Sequence, residues 1–174
     1  HLRAGSDAVA VGMGTVLADD PLLTVRDVSP PRVPPLRVIF SREGRLPLTS
    51  RLAQRTGEAP VLVFAAAPDP NYDHELRGLG VDVVPASTLA DALRVLAARG
   101  VRSLLVEGGA NLATALLNEG LVDRLVILRA PVLLGEGSLP AFRGLAADAP
   151  NPRWETISSE WLEEDHLVVL APRT

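Results

Sequence analysis

The stretch LLVEGGANLATALL, residues 104–117, ends an apolar run on one carboxylate, Glu107. Gly108 and Gly109 follow, and then residues at helical spacing. Glycines at a strand-to-helix junction let a phosphate approach the main chain, and the helix start adds free N–H groups and a favourable dipole. A tight turn needing positive φ would use the same pair. A carboxylate closing a buried strand is either paired within the protein or kept for a ligand hydroxyl or amine. A second such junction is VGMGTVLADDPLLTVR, 11–26, where Gly12 and Gly14 flank Met13 and Thr15 adds a hydroxyl. Leu17 stands where G-x-G-x-x-G would need its last glycine, so that fingerprint is not formed. Asp19-Asp20-Pro21 can form a turn, the simplest role for Asp20. Arg3 and Arg26 are either surface arginines or phosphate ligands acting through the planar guanidinium fork. Ser41 and Arg42 follow the apolar run 36–40, where such a pair could grip a 2′-phosphate and so prefer NADPH to NADH.

The composition removes several chemistries. All 17 basic residues are arginine, so neither a Schiff-base lysine nor a Walker-type phosphate lysine is available. With no cysteine there is no disulfide, thiolate metal site or thiol nucleophile. His1, His74 and His166 are scattered without ligand spacing, so no metal is expected. A formal charge of −4 without a basic stripe predicts no nucleic-acid partner. No signal peptide or membrane-length apolar run stands out, and the cytoplasm is the expected location.

These residues must be positioned by alternating elements. Strands are expected at 7–13, 36–40, 60–66, 81–86, 101–106 and 124–134, with two more around 153–158 and 166–170. Most are continuously apolar, as in strands covered on both faces. Thr88, with Asp91 three residues on, opens a helix that Gly100 ends. A second helix starts near Asn111 and stops at Gly120. The acid-rich 155–165 segment reads as a solvated face or hairpin. At 174 residues with 47% hydrophobic content, the chain predicts a single domain. Its class is α/β, a mainly parallel central sheet flanked by helices in three layers.

Together, LRAGSDAVAVGMGTVLADDPLLTVR, LLVEGGANLATALL and LVDRLVILRAPVLLGEG resemble the reductase domain of the riboflavin-biosynthesis deaminase/reductase family. The resemblance runs from His1 to about Phe142. It implies a dihydrofolate-reductase-like fold and NADPH-dependent reduction of the ribosyl group of 5-amino-6-(5-phosphoribosylamino)uracil to ribityl. By the same resemblance Arg3, Leu23, Arg26 and Glu107 match substrate positions. Thr15, Asp19 and Ser41 match cofactor positions, and Gly109, Ala110, Asn111, Leu112, Ala113, Thr114 and Ala115 lie along the cofactor phosphates. The partner is a small phosphosugar-pyrimidine, the expected assembly is a homodimer, and no general acid is assigned.

Complete members of that family carry a leading strand with an Ala-x-Ser-Leu-Asp-Gly type motif, and bifunctional members a zinc deaminase domain. Neither precedes His1 in this sequence. Residues 1–174 are therefore expected to be a reductase domain lacking its first strand, nearly silent when made alone. Two alternatives remain: a related pteridine or pyrimidine reductase of the same fold, and a nucleotide-binding fragment without turnover.

Overall fold

The computed structural model describes residues 2–29, 31–146 and 153–173. The chain divides into two compact units, His1–Leu112 and Ala113–Thr174.

The first unit is built on five parallel strands: β1 (Ala8–Gly12), β2 (Leu36–Ser41), β3 (Val61–Ala65), β4 (Val81–Pro85) and β5 (Leu104–Val106). They lie in the order β4-β3-β2-β1-β5, every pair parallel. Alternate residues of these apolar runs face opposite layers. Val9, Val11, Ile39, Val61 and Val63 enter one core with Val16 of α1 (Met13–Asp19), Leu52 of α2 (Arg51–Gln54) and Leu76 of α3 (Pro70–Gly78). Ala8, Ala10, Val38, Leu62 and Phe64 enter the other, against Ala92 and Leu96 of α4 (Leu89–Ala98). The sheet is thus covered on both faces, as continuous hydrophobicity predicts. Because all five strands run the same way, their carboxyl ends gather Gly12, Ser41 and Glu107 along one edge.

Helix α4 begins as its sequence dictates. Thr88 Oγ1 accepts from the Asp91 N–H at 3.0 Å and bonds the Asp91 carboxylate at 2.7 Å. Gly100, at φ +87°, follows its carboxyl end. Helix α5 (Ala110–Asn118) likewise stops before Gly120, at φ +65°.

Helices α1, α2 and α3 have no counterpart in the sequence reading. Met13 belongs to α1 and not to the first strand, because Gly12 is extended and caps the helix. Helix α3 is started by Asp69, whose side chain accepts from the Asn71 N–H, and by Pro70 at the first turn. It buries only Leu76, too little to leave an apolar period.

The second unit carries three antiparallel strands, β6 (Leu125–Arg129), β7 (Trp154–Leu162) and β8 (Asp165–Pro172), in the order β6-β8-β7. The acid-rich segment is most of β7 and its hairpin turn, with Glu163 at φ +56°. The strand expected over 124–134 ends at Arg129. Pro131 lacks a ladder N–H, and Val132, Leu133 and Leu134 beyond it are irregular and exposed.

Candidate functional site

Glu107 leaves the end of β5 with its N–H donating to the Ala10 carbonyl at 2.9 Å, which fixes it beside β1. Its carboxylate meets Arg3, which a short 3₁₀ turn (Arg3–Gly5) sets ahead of β1. Arg3 Nε donates to Oε1 at 2.6 Å and Nη2 to Oε2 at 2.5 Å, a two-point pair with both side chains about 30% exposed (29% and 30%). The bond to Glu107 raises the Arg3 pKa above its ordinary value. Arg3 Nη1 is left to donate to the Thr24 carbonyl at 2.8 Å. Arg3 therefore joins Glu107 to the segment after α1. Each carboxylate oxygen keeps a lone pair for a further donor.

That segment, Asp20–Asp27, is bent hard. Asp20, Leu23 and Asp27 have φ of 40°, 54° and 60°, a region that non-glycine residues adopt at a cost. Asp20 caps α1 and accepts from the Arg51 N–H at 2.8 Å, a long-range bond in place of the local turn expected of it. The Leu23 side chain lies in the core, 2% exposed, so only its main chain can face a ligand. Arg26 is exposed.

Beside Glu107, Gly108 and Gly109 have φ of 61° and 80°. A Cβ at Gly109 would come within 3.1 Å of Thr15 Oγ1. The two glycine-flanked junctions of the sequence thus meet in space, Thr15 from the first turn of α1 and Gly109 immediately before α5. The first N–H groups of a helix such as α5 have no intrahelical acceptor. The bare backbone, the hydroxyl and these donors form a cradle that suits a phosphate group. Asn111 is exposed and Ala110 half-buried, whereas Leu112 is buried, its Cβ 3.7 Å from where one on Gly12 would stand. Ala113 and Ala115 are half-buried, and Thr114 is buried with Oγ1 accepting from the Arg143 N–H at 2.9 Å. Of the run 109–115, Leu112 and Thr114 are thus turned to packing.

At the end of β2, Ser41 Oγ accepts from the Gly44 N–H at 3.0 Å, which leaves its own O–H to donate. Arg42 is exposed next to it and makes no ion pair among the described residues. Asp19, at the last turn of α1, is exposed. His74 is exposed on α3, and His166 stacks on Trp161 with Nε2 2.8 Å from Ser159 Oγ. His1 lies outside the described residues.

One residue of this region escaped the sequence reading. Arg37, in β2, is fully buried and donates to the main-chain carbonyls of Leu22, Arg55 and Ala59. Its signal was a lone charge at an inward-facing position of an otherwise apolar strand.

A five-stranded parallel sheet, helices on both faces and a glycine-bared helix start at its carboxyl edge define an α/β domain, and its structural match to a RibD reductase domain makes it dihydrofolate-reductase-like. The chain matches the RibD C-terminal domain over residues 1–168 and belongs to that family. It is 38% identical to the 2,5-diamino-6-ribosylamino-4(3H)-pyrimidinone 5′-phosphate reductase of Archaeoglobus fulgidus, covering 80% of this chain and 68% of that protein. It is 36% identical to the riboflavin biosynthesis protein RibD of Aquifex aeolicus, over 78% of this chain and 38% of that one. The solved structure of Acinetobacter baumannii RibD superposes with a TM-score of 0.84 at 33% identity, over 99% of this chain and 49% of that one. The chain thus spans about two-thirds of the archaeal relative but less than half of the RibD proteins.

Proposed function

We propose that this chain is the catalytic domain of a riboflavin-pathway reductase, turning the ribosyl group of a phosphoribosylamino-pyrimidine into ribityl with NADPH. The relatives' names support the reaction class, and one juxtaposition carries the reading. Glu107, pinned by Arg3, stands beside the Gly108–Gly109 and Thr15 cradle at the carboxyl edge of the sheet.

NADPH fits what is there. A side chain at Gly109 would crowd Thr15, so glycine keeps the backbone close to that hydroxyl, and together with the α5 donors they would hold a pyrophosphate. Ser41 and Arg42 would take the 2′-phosphate that separates NADPH from NADH. When bound, NADPH supplies the hydride that reduces C1 of the opened ribose, as aldehyde or imine.

The chain's own residues bind and orient. Arg26, exposed within the bent segment, grips the sugar phosphate. Glu107 accepts from ribose hydroxyls or the bridging amine, held in one rotamer by the two bonds from Arg3. Holding the reacting carbon in line is the main protein contribution to such a step. The main chain at Leu22–Thr24 borders the same place. No side chain here is assigned as the proton donor.

Two substrates fit this chemistry: the 2,5-diamino-pyrimidinone in the archaeal name and the deaminated 5-amino-uracil. Assaying NADPH oxidation with each separates them, and turnover of neither overturns the reading. The homodimer belongs to the same proposal. Leu128 and Leu162 share one face of the antiparallel sheet by its register and are 58% and 48% exposed, apolar surface that a second copy would cover. Light scattering of the purified protein tests it, and a monomer would refute it. Among the described residues no helix is long and apolar enough to cross a membrane, and we place the reaction in the cytoplasm.

A further inference from the structure

The bent segment after α1 is held from two sides. Arg3 Nη1 donates to the Thr24 carbonyl at 2.8 Å, and Arg37 Nη1 to the Leu22 carbonyl at 3.4 Å. The two arginines therefore bond the carbonyls of Leu22 and Thr24, the residues on either side of Leu23, which is forced to φ +54°. Arg37 is fixed in turn. Its strand neighbours are Val9 of β1 and Val61 of β3, and its side chain is fully buried in the sheet. Nη2 donates to the Arg55 carbonyl at 2.6 Å and also to that of Ala59. Nε has no partner among the described residues, and burial lowers the pKa of the guanidinium.

A cation this deep, near the charge of Glu58 but with no carboxylate bonded to it among the described residues, is costly to keep. Pinning the 55–59 turn needs only Nη2. The reach of Nη1 to Leu22 adds a function that a turn anchor alone does not require. A left-handed leucine persists only when its surroundings over-determine it. Here the side chain is sunk in the core and both flanking carbonyls are bound.

We infer that Arg37 is a positioning residue for the substrate half of the site. Its hold on the Leu22 carbonyl keeps Leu23 left-handed and so presents Thr24 to Arg3 and Arg26 to the ligand. This rests on the substrate reading proposed above for Arg26 and Glu107. Arg37 itself touches no substrate, and its removal acts through the main chain. Lysine keeps the charge but cannot reach three carbonyls as a planar fork does.

The test uses the intact protein with Arg37→Lys. The expected result is a KM for the phosphorylated substrate raised about tenfold, a Kd for NADPH changed less than about twofold, and amide exchange over 22–26 accelerated at least about tenfold. Exchange in β4 stays as in the parent. Unaltered exchange over 22–26, or equal losses in KM and NADPH affinity, would overturn the inference. A second variant keeps Arg37 and weakens the acceptor. Replacing Leu23 by its α-hydroxy acid turns the Leu22 carbonyl into an ester carbonyl, and the same rise in KM is expected. An ester variant with the parent's KM and exchange would count against the clasp even if Arg37→Lys did not fold. Failure of the functional reading shows elsewhere, as a parent protein without turnover, whereas exchange over 22–26 reads the order of the segment that the clasp holds.

Discussion

Arg3 and Glu107, 104 positions apart in sequence, close a two-point ion pair of 2.6 and 2.5 Å at the carboxyl edge of the parallel sheet. The third nitrogen of Arg3 reaches the Thr24 carbonyl, so one guanidinium joins the end of β5 to the bent segment after α1. Glu107 is thereby both paired within the protein and still able to accept from a ligand. The pairing fixes its rotamer and leaves one lone pair on each oxygen.

Glu107→Gln keeps the shape and one acceptor but loses the anion. We expect kcat/KM for the phosphorylated pyrimidine to fall at least about tenfold, which is ~1.4 kcal/mol of transition-state stabilisation. NADPH affinity should change little. Thermal stability should fall only slightly, because pairs this exposed contribute about 0–1 kcal/mol. Steady-state kinetics with a separate cofactor titration decides it. Lost NADPH affinity with unchanged substrate parameters would move Glu107 to the cofactor side.

Arg26→Lys replaces a fork by a point charge. KM for the phosphorylated substrate should rise by about tenfold, while a dephosphorylated analogue should be used as before. A variant indistinguishable from the parent on both substrates returns Arg26 to the ordinary surface.

Gly109→Ala should weaken NADPH binding by about tenfold or more. Its backbone sits at φ +80°, and the new methyl would stand 3.1 Å from Thr15 Oγ1. Both effects would shift the backbone and the hydroxyl proposed to hold the pyrophosphate. Calorimetric titration of cofactor measures it, and an unchanged Kd would place the phosphates elsewhere.

Asp7→Asn tests the staple between β1 and β5 by its pH dependence. The Asp7 carboxylate accepts from the N–H groups of Arg102 and Ser103 at 2.8 and 2.9 Å, and these bonds lower its pKa below the usual carboxylate value. A depressed folded pKa contributes stability above the unfolded value of about 3.9, and loses it as pH falls through the folded one. The variant should melt below the parent at pH 7, with the gap closing at acid pH below that value. A gap that persists unchanged at pH 2 would contradict the charge-based account.

Much of this was legible in the sequence for a physical reason. Parallel strands buried on both faces need unbroken runs such as LRVIF and VLVFA, and Thr88 with Asp91 announces α4. The glycine pair marked the strand-to-helix junction at the edge of the sheet, where both residues have positive φ. Partners did not show, because the crossover that puts β5 beside β1 separates Arg3 from Glu107 along the chain. Arg37 was hidden within an apolar run, since its three acceptors are main-chain carbonyls that carry no residue signature. Helix α3 was hidden because a surface helix with one buried leucine has no readable period. The 124–134 run misled because its hydrophobicity outlasts the strand that Pro131 ends.

The proposed reaction is hydride delivery from NADPH to the sugar carbon of a phosphoribosylamino-pyrimidine. The direct measurement is mass spectrometry of the product formed by the intact protein with NADPH deuterated at the transferable C4 position. The account predicts a ribityl product carrying one deuterium at C1, formed in step with NADPH oxidation. Cofactor oxidation without a ribityl product, or no oxidation with either pyrimidine substrate, would contradict it.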